Sequence, residues 1–178
     1  MLDLTPEELV KKYSDMAYAL ALRLTGNAAE AEDLAEEALI KAVRGLAKFR
    51  GDSDAGVWVY RIVMNTWKNQ LRSPRFAFLR RMGGFYSADN EAQLVDPPDP
   101  APGPEPQLEA ADRAEAFNKA INTLEPEDRA ILVLRELDGR SYEDIAEIIS
   151  IPVGTVRSRL SRAREKLRAL LRGQLEDK

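Results

Sequence analysis

Arginine and serine side chains recur along the stretch from Val153 to Arg172 in a pattern that suits contact with a nucleic acid. This stretch carries seven Arg or Lys residues and one Glu. On a helix, with about 100° between successive residues, four polar side chains share one side: Arg157, Ser158, Ser161 and Arg162. Arginines reach guanine edges or phosphates, and serines let the backbone come close. A charge run alone more often marks a solvated face, so the element that presents it decides between the two interpretations.

Residues 141–172 are predicted to form a helix-turn-helix. Ser141 is a suitable N-cap with Asp144 at the N3 position, and Pro152 can open the second helix at its first position. The second helix has an apolar side formed by Val156, Leu160, Ala163, Leu167, Leu170 and Leu171. In this motif the second helix enters the major groove of DNA, which favours the DNA-binding interpretation of its basic side.

A second candidate nucleic-acid surface lies on a helix predicted over residues 57–72. Between Val57 and Arg81 there are six basic residues and no acid. One side of the predicted helix, with Trp58 at its edge, carries Arg61, Asn65, Lys68, Asn69 and Arg72. Single-stranded or opened nucleic acid stacks its bases on rings and offers their edges to amides. The alternative is that Trp58, Tyr60 and Trp67 are core residues, and at least one of them is expected to be buried.

The far side of a helix predicted from Asn27 to about Phe49 mixes acids with aliphatic residues. Asp33, Glu36 and Glu37 surround Ile40 and Val43 on that side. Apolar side chains among carboxylates suit a docking surface for a basic partner, although an ordinary solvated face fits the pattern equally well.

The chain of 178 residues, 44% of them hydrophobic, is predicted to be all-α. Helices are expected from Pro6 to about Thr25, over the stretches described above, from about residue 108 to 124, and from Pro126 to Asp138. Six of the ten prolines fall between Pro97 and Pro106, in a segment rich in acids. We therefore expect two small helical domains, residues 1–82 and 108–178, joined by a flexible acidic linker over residues 83–107.

The composition excludes several kinds of chemistry. The chain has neither Cys nor His, so disulfides, zinc sites built on those residues and imidazole catalysis are ruled out. No catalytic residue, metal, cofactor or small-molecule substrate is expected, and a metal-dependent nuclease is disfavoured because the acids do not converge. The net charge of −4 argues against nucleic acid only as an average, since the charges are segregated. The N-terminus resembles no signal peptide and no stretch could enter a membrane, so a cytosolic protein is expected.

With a basic aromatic helix in one predicted domain and a helix-turn-helix in the other, the chain resembles the extracytoplasmic-function group of bacterial sigma factors, and is similar to sigma-E-like members. The stretches that carry the resemblance are AEAEDLAEEALIKA, FRGDSDAGVWVYRIVMN and LRELDGRSYEDIAEIISIPVGTVRSRLSRAREKL. The resemblance implies promoter-specific transcription initiation, with a −10 domain, a linker and a −35 domain. A stand-alone helix-turn-helix regulator is the alternative, but it leaves the aromatic helix and the docking side unexplained.

The resemblance also implies roles for particular positions. A surface that docks on the clamp helices of the polymerase β′ subunit would include Asp33, Glu36, Glu37 and Ile40. Recognition of −10 DNA, with Asn65 meeting a flipped base, would involve Trp58, Arg61, Asn65, Lys68, Asn69 and Arg72. Recognition of −35 DNA would involve Thr155, Arg157, Ser158, Arg159, Ser161 and Arg162. Glu36 and Leu39 stand where the family commonly has glutamine and phenylalanine, and Ser161 stands where close relatives carry a bulkier residue.

The partners that the resemblance implies are the β′ and β subunits of core RNA polymerase, promoter DNA and a cognate anti-sigma factor. Such a factor would tie the chain to a stress response and could hold it at the membrane without any insertion of its own. Thiol-based or zinc-based sensing would then lie in that partner, because this chain has no Cys or His.

Overall fold

A computed structural model describes residues 4–51, 53–74 and 116–176. For residues 174–176 it describes the backbone only. Within these residues every regular element is helical and none is a strand, which confirms the predicted all-α class. The predicted linker, residues 83–107, and the predicted helix start near residue 108 lie outside the described residues.

The first helix, α1 (Pro6–Thr25), begins and ends where the sequence pattern predicts. Its capping box is complete, because the Thr5 hydroxyl accepts from the Glu8 amide and the Glu8 carboxylate accepts from the Thr5 amide. Gly26 ends the helix with a left-handed φ of 70°, and its N–H donates to the carbonyl of Leu22 at 2.8 Å.

Two further helices pack with α1 in a bundle within residues 4–74. Helix α2 (Ala28–Gly45) begins at the Asn27 cap and gives way to a single 3₁₀ turn, Leu46–Lys48, short of the predicted end at Phe49. Helix α3 (Ala55–Leu71) begins two residues earlier than predicted. The bundle has small residues on the facing sides of α1 and α2, which let the two backbones approach: Ala17, Ala21, Ala31, Ala35 and Ala38.

Four helices lie within residues 116–176, the described part of the C-terminal half. Helix α4 covers residues 116–123, and α5 (Pro126–Leu132) follows from the predicted start at Pro126. The chain then continues as a π-helical turn, Val133–Leu137, in which the Asp138 amide donates to the Val133 carbonyl five residues back. Helices α6 (Tyr142–Ile149) and α7 (Val153–Glu176) form the predicted helix-turn-helix.

The turn of the helix-turn-helix is built by local hydrogen bonds. Ser141 and Asp144 form the predicted capping box at the start of α6. At the end of α6, Ser150 adopts a left-handed φ of 57°, which reverses the chain. Pro152 precedes α7 and accepts from the Val156 amide at 3.1 Å, so it occupies the cap position instead of the predicted first helical position.

The two halves pack against each other. Helix α3 lies against α6, α1 lies against the π-helical turn, and the buried apolar residues of both halves form one continuous cluster. Polar groups also cross the boundary, including an ion pair between Arg23 on α1 and Asp138. The described residues therefore form one body in this conformation.

Candidate nucleic-acid interface and docking groove

The basic side of α7 is held outward by an apolar side that is buried in the C-terminal half. Val156, Leu160, Ala163 and Leu167 are the buried anchors, whereas Leu170 and Leu171 are half-buried. Four of the side chains predicted to read duplex DNA are exposed: Arg157, Ser158, Ser161 and Arg162. Thr155 and Arg159 are half-buried at the edge of the same face. The structure thus brings all six predicted residues to one side of the helix.

The arginines of α7 differ in the contacts that hold them. The Arg157 guanidinium lies 5.8 Å from the centre of the Tyr142 ring, which also carries Arg135 at 4.8 Å. Arg164 donates to Glu136 through two nitrogen atoms, at 2.9 and 2.6 Å. Arg164 therefore ties α7 to the π-helical turn. Tyr142 borders the predicted −35 face through Arg157, which the sequence analysis missed. Its signal was an aromatic residue directly after the Ser141 cap.

The polar side of α3 is assembled as the sequence predicts. Asn65, Asn69 and Arg72 are exposed, whereas Arg61 and Lys68 are half-buried. Burial lowers the pKa of the Lys68 ammonium group. The nearby Glu127 carboxylate opposes this shift, and the cations Arg72 and Arg159 add to it. The start of α3 is set by the carboxylate of Asp54, which accepts from the amides of Gly56 and Val57.

The aromatic residues of α3 are less available than the sequence pattern suggests. Tyr60 and Trp67 are buried in the core, which confirms the expectation that at least one of the three rings is structural. Trp58 is half-buried and packs on Phe49, with 4.6 Å between the ring centres. Of the three rings, only Trp58 is partly accessible for stacking on a base.

The acidic side of α2 divides into exposed and internally bonded residues. Asp33 and Glu36 are exposed, and Ile40 keeps 44% of its surface in solvent. Glu37 accepts from Lys41 at 2.6 Å and from Gln70 on α3 at 2.8 Å, and these hydrogen bonds lower the pKa of its carboxyl group. Glu37 therefore joins α2 to α3 in addition to lying on the predicted docking side.

A groove of about 670 Å³ runs between α1 and α2 beside Ile40. Its lining is mainly apolar: Val10, Ser14, Tyr18, Glu32, Ala35, Glu36, Leu39, Ile40, Val43 and Arg44. Val10 and Tyr18 are exposed large side chains that the sequence analysis did not assign to this surface. Their signal was that they fall outside the buried stripe of α1. The predicted docking side therefore borders a two-helix groove whose lining includes the acids Glu32 and Glu36.

Neither a metal centre nor a membrane span is found in the part of the chain that the structure describes. No group of three or more His, Cys, Asp or Glu side chains converges there. No described helix is both long and apolar enough to cross a bilayer.

Two family models match this chain, one within its N-terminal half and one within its C-terminal half. The model of sigma-70 region 2 matches residues 9–76, which include the α1–α2 groove and α3. The model of sigma-70 region 4 matches residues 114–167, which include the helix-turn-helix. The region 2 match accounts for the bundle that a stand-alone helix-turn-helix regulator leaves unexplained.

Relatives match nearly the whole chain. RNA polymerase sigma-H factor of Pseudomonas aeruginosa is 39% identical over 175 residues, covering 95% of this chain and 87% of the relative. ECF RNA polymerase sigma-E factor of Escherichia coli is 36% identical, covering 89% of this chain and 82% of the relative. Among solved structures, the sigma factor RpoE in complex with the anti-sigma factor NepR from Bartonella quintana has 28% identity and a TM-score of 0.68, with 93% and 96% of the chains covered.

The fold and these matches define a promoter-recognition subunit of the sigma-70 class, a transcription initiation factor rather than an enzyme. Within that class the chain belongs to the extracytoplasmic-function group of sigma factors. It binds core RNA polymerase and promoter DNA and directs promoter-specific initiation.

Proposed function

We propose that residues 1–82 dock on core polymerase and capture melted −10 DNA, that residues 83–107 link the domains, and that residues 108–178 bind −35 duplex. The observation that supports this division is the presence of two distinct polar faces on two helices. The face of α7 offers arginines and hydroxyls, which suit base-pair edges in a major groove. The face of α3 offers amides and cations, which suit unpaired bases and backbone.

The −35 contacts would come from the six residues on the outward side of α7. Arg157, Ser158, Ser161 and Arg162 are exposed at its centre, with Thr155 and Arg159 at its edge. The −10 contacts would centre on the exposed amide of Asn65, because an amide can pair with the edge of an extruded base. Arg61, Lys68, Asn69 and Arg72 would hold the neighbouring backbone, and the accessible part of Trp58 would border the site.

The groove between α1 and α2 would receive the polymerase. Exposed Ile40 provides apolar contact area, while the exposed acids Asp33 and Glu36 on the same helix would attract a basic partner. Glu37 would contribute chiefly by holding α2 against α3.

An anti-sigma factor is the second protein partner that we propose, since the similar RpoE was solved in complex with one. The chain would act in the cytoplasm, where its DNA lies. Any retention at a membrane would come through the anti-sigma partner.

Run-off transcription with purified core polymerase tests the proposal as a whole. Adding this chain alone should start transcripts at promoters that core polymerase cannot use. If transcripts start at no new position, the result would contradict the proposed assignment of polymerase docking and promoter binding to these domains.

The assignment of Asn65 is tested by replacing it with alanine. We expect Asn65→Ala to impair open-complex formation more than closed-complex binding, because the amide acts only on an unpaired base. A template already mismatched at −10 should restore part of the activity, since unpairing costs a few kcal/mol that the bubble removes. Asn27→Ala, which removes the side-chain amide that caps α2, serves as the control for a general loss of stability. Equal defects on duplex and bubble templates would assign Asn65 to structure.

A further inference from the structure

Two ion pairs hold α7 on opposite sides of its buried apolar stripe. Arg164 donates to Oε1 of Glu136 from Nε and from Nη2, at 2.9 and 2.6 Å. Lys166 pairs with the carboxylate of Asp128. At about 100° per residue, the two cations are about 160° apart around the helix, and the buried stripe lies between them. The helix is therefore held on both flanks by other elements of the C-terminal half.

The two acids lie on the elements against which α7 packs. Asp128 is in the first turn of α5, where the helix dipole favours a carboxylate, and its side chain is only 13% exposed. Glu136 lies in the π-helical turn Val133–Leu137, whose first two residues are buried in the core. Both carboxylates are thus attached to well-packed segments, so they can hold a neighbouring helix in a defined orientation.

Apolar packing alone defines the rotation of α7 about its own axis less sharply than these polar contacts do, because hydrophobic burial is non-directional. A roll of about 20° would move a side chain that lies about 5 Å from the helix axis by about 2 Å. The lengths of N–H···O hydrogen bonds span only about 0.5 Å. Since the two ion pairs lie on opposite flanks, a roll in either direction lengthens at least one of them. Together they therefore favour one rotation of the helix.

We propose that Glu136 and Asp128 are positioning residues for −35 recognition, because their ion pairs set the rotation at which α7 presents its outward side to the duplex. This inference rests on the proposed −35 function of α7. The outward side lies between the two paired cations, opposite the buried stripe, and carries the exposed Arg157 and Arg162. The two acids act on base preference through the helix and not as readers of bases.

The contribution of the two pairs is expected in specificity more than in folding. The side chains of Arg164 and Glu136 are 39% and 38% exposed, and that of Lys166 is 56% exposed. Exposed ion pairs add little to folding stability, and each shifts an equilibrium by at most about fivefold. A rolled helix keeps its charge and its phosphate contacts but loses its alignment with base edges. Losing a pair should therefore lower the ratio of specific to non-specific affinity.

Neutralising Glu136 tests the proposal in the holoenzyme. We expect Glu136→Gln to lower the ratio of affinities for selected and random −35 sequences by about two- to fivefold. Glu143→Gln makes the same charge change at an exposed position of α6, with no ion pair among the described contacts, and should keep the parent ratio. The unfolding temperature of both variants should stay near that of the parent. An unchanged ratio in Glu136→Gln would overturn the proposal.

A charge swap separates positioning from the loss of a charge. Glu136→Arg places two cations opposite each other and should lower the affinity ratio at least as far as Glu136→Gln. Adding Arg164→Glu rebuilds the ion pair with the charges exchanged, so the ratio should return to within about twofold of the parent value. A swap that leaves the ratio as low as in Glu136→Arg would show that the pair does not position the helix.

The opposite flank is tested by Lys166→Gln, which leaves Asp128 in place. Loss of a cation by itself weakens specific and non-specific binding alike, so the affinity ratio isolates the orientation of the helix. We expect the ratio to fall as in Glu136→Gln, and an unchanged ratio would overturn the restraint by two flanks.

The proposed −35 function can fail separately from this inference. If Arg157→Ala leaves the base preferences unchanged, α7 does not read the −35 duplex and the proposed function fails. If Arg157→Ala relaxes a base preference while Glu136→Gln and Lys166→Gln keep the parent ratio, only the positioning role fails.

Discussion

The arginines of α7 are chemically identical but structurally distinct. Arg157 and Arg162 are exposed on the proposed reading face, whereas Arg164 donates two hydrogen bonds to Glu136. Hydrogen bonding to a carboxylate raises the pKa of Arg164 and holds it in the protein's own structure. Charge alone therefore does not identify which arginines read DNA.

Replacing a reading arginine should lower affinity and relax specificity together. We expect Arg157→Ala or Arg162→Ala to weaken the free energy of −35 binding by about 1–3 kcal/mol. Each should also relax the base preference at one −35 position. Arg172→Ala, near the end of the helix, should weaken binding uniformly across sequences. Binding-site selection with the holoenzyme distinguishes these outcomes, and identical base preferences for all three variants would show that the readers are assigned wrongly.

The Tyr142 ring should act through Arg157. Tyr142→Leu keeps an apolar side chain but removes the cation–π contact, so we expect −35 affinity to fall by about 0.5–1 kcal/mol. In Arg157→Ala the ring no longer contacts a guanidinium of α7, so adding Tyr142→Leu should change −35 affinity little. A double-mutant cycle of −35 affinity measures this coupling, and fully additive effects would exclude a positioning role for Tyr142.

At the scale of the helix, α2 has an outward side proposed to dock on polymerase and a second side that is bonded to α3. Asp33 and Ile40 are exposed on its outward side, whereas Glu37 accepts hydrogen bonds from Lys41 and from Gln70 of α3. One run of acids therefore contains both proposed docking residues and a residue that joins two helices.

Substitutions on the two sides of α2 should have different effects. Asp33→Arg with Ile40→Ser should abolish assembly with core polymerase while helicity stays normal, because charge attraction and apolar contact are both lost. Glu37→Gln should retain assembly and lower the free energy of unfolding by no more than about 1 kcal/mol, as for other exposed ion pairs. Pull-down and circular dichroism test this pair, and normal assembly of the double variant would refute the docking groove.

At the scale of the whole molecule, the two halves share one buried cluster and an ion pair at their boundary. Burial raises the pKa of the Asp138 carboxyl group, an effect that the Arg23 charge opposes. Arg23 is thus the largest of the contacts that favour the ionised form of this carboxyl group, and a hydrogen bond with Tyr60 and the charge of Arg140 act in the same direction.

Removing Arg23 should uncouple the halves. We expect Arg23→Ala to lower the free energy of unfolding by about 1–3 kcal/mol, because the buried Asp138 carboxylate loses a partner. We also expect one calorimetric transition to split into two. Arg164→Ala, which removes an ion pair within the C-terminal half, should leave a single transition. A single unchanged transition in Arg23→Ala would mean that the pair does not couple the halves.

The sequence by itself determined the local elements and their faces. The caps at Thr5 and Ser141, the left-handed stop at Gly26 and the buried stripe of α7 depend on neighbouring residues, whose spacing is visible in the chain. The polar faces of α3 and α7 follow from the same helical period. The residues proposed to contact DNA were therefore predictable as two groups.

Only the tertiary structure decided what those faces meet. The groove needs Val10 and Tyr18 from α1 beside Ile40 from α2, and helical periodicity cannot show which two helices become neighbours. The partners of Arg23 and Lys68 lie more than fifty residues away along the chain, across the predicted linker. Such pairs arise because hydrophobic burial brings distant helices together and leaves their polar groups to find partners at the contact.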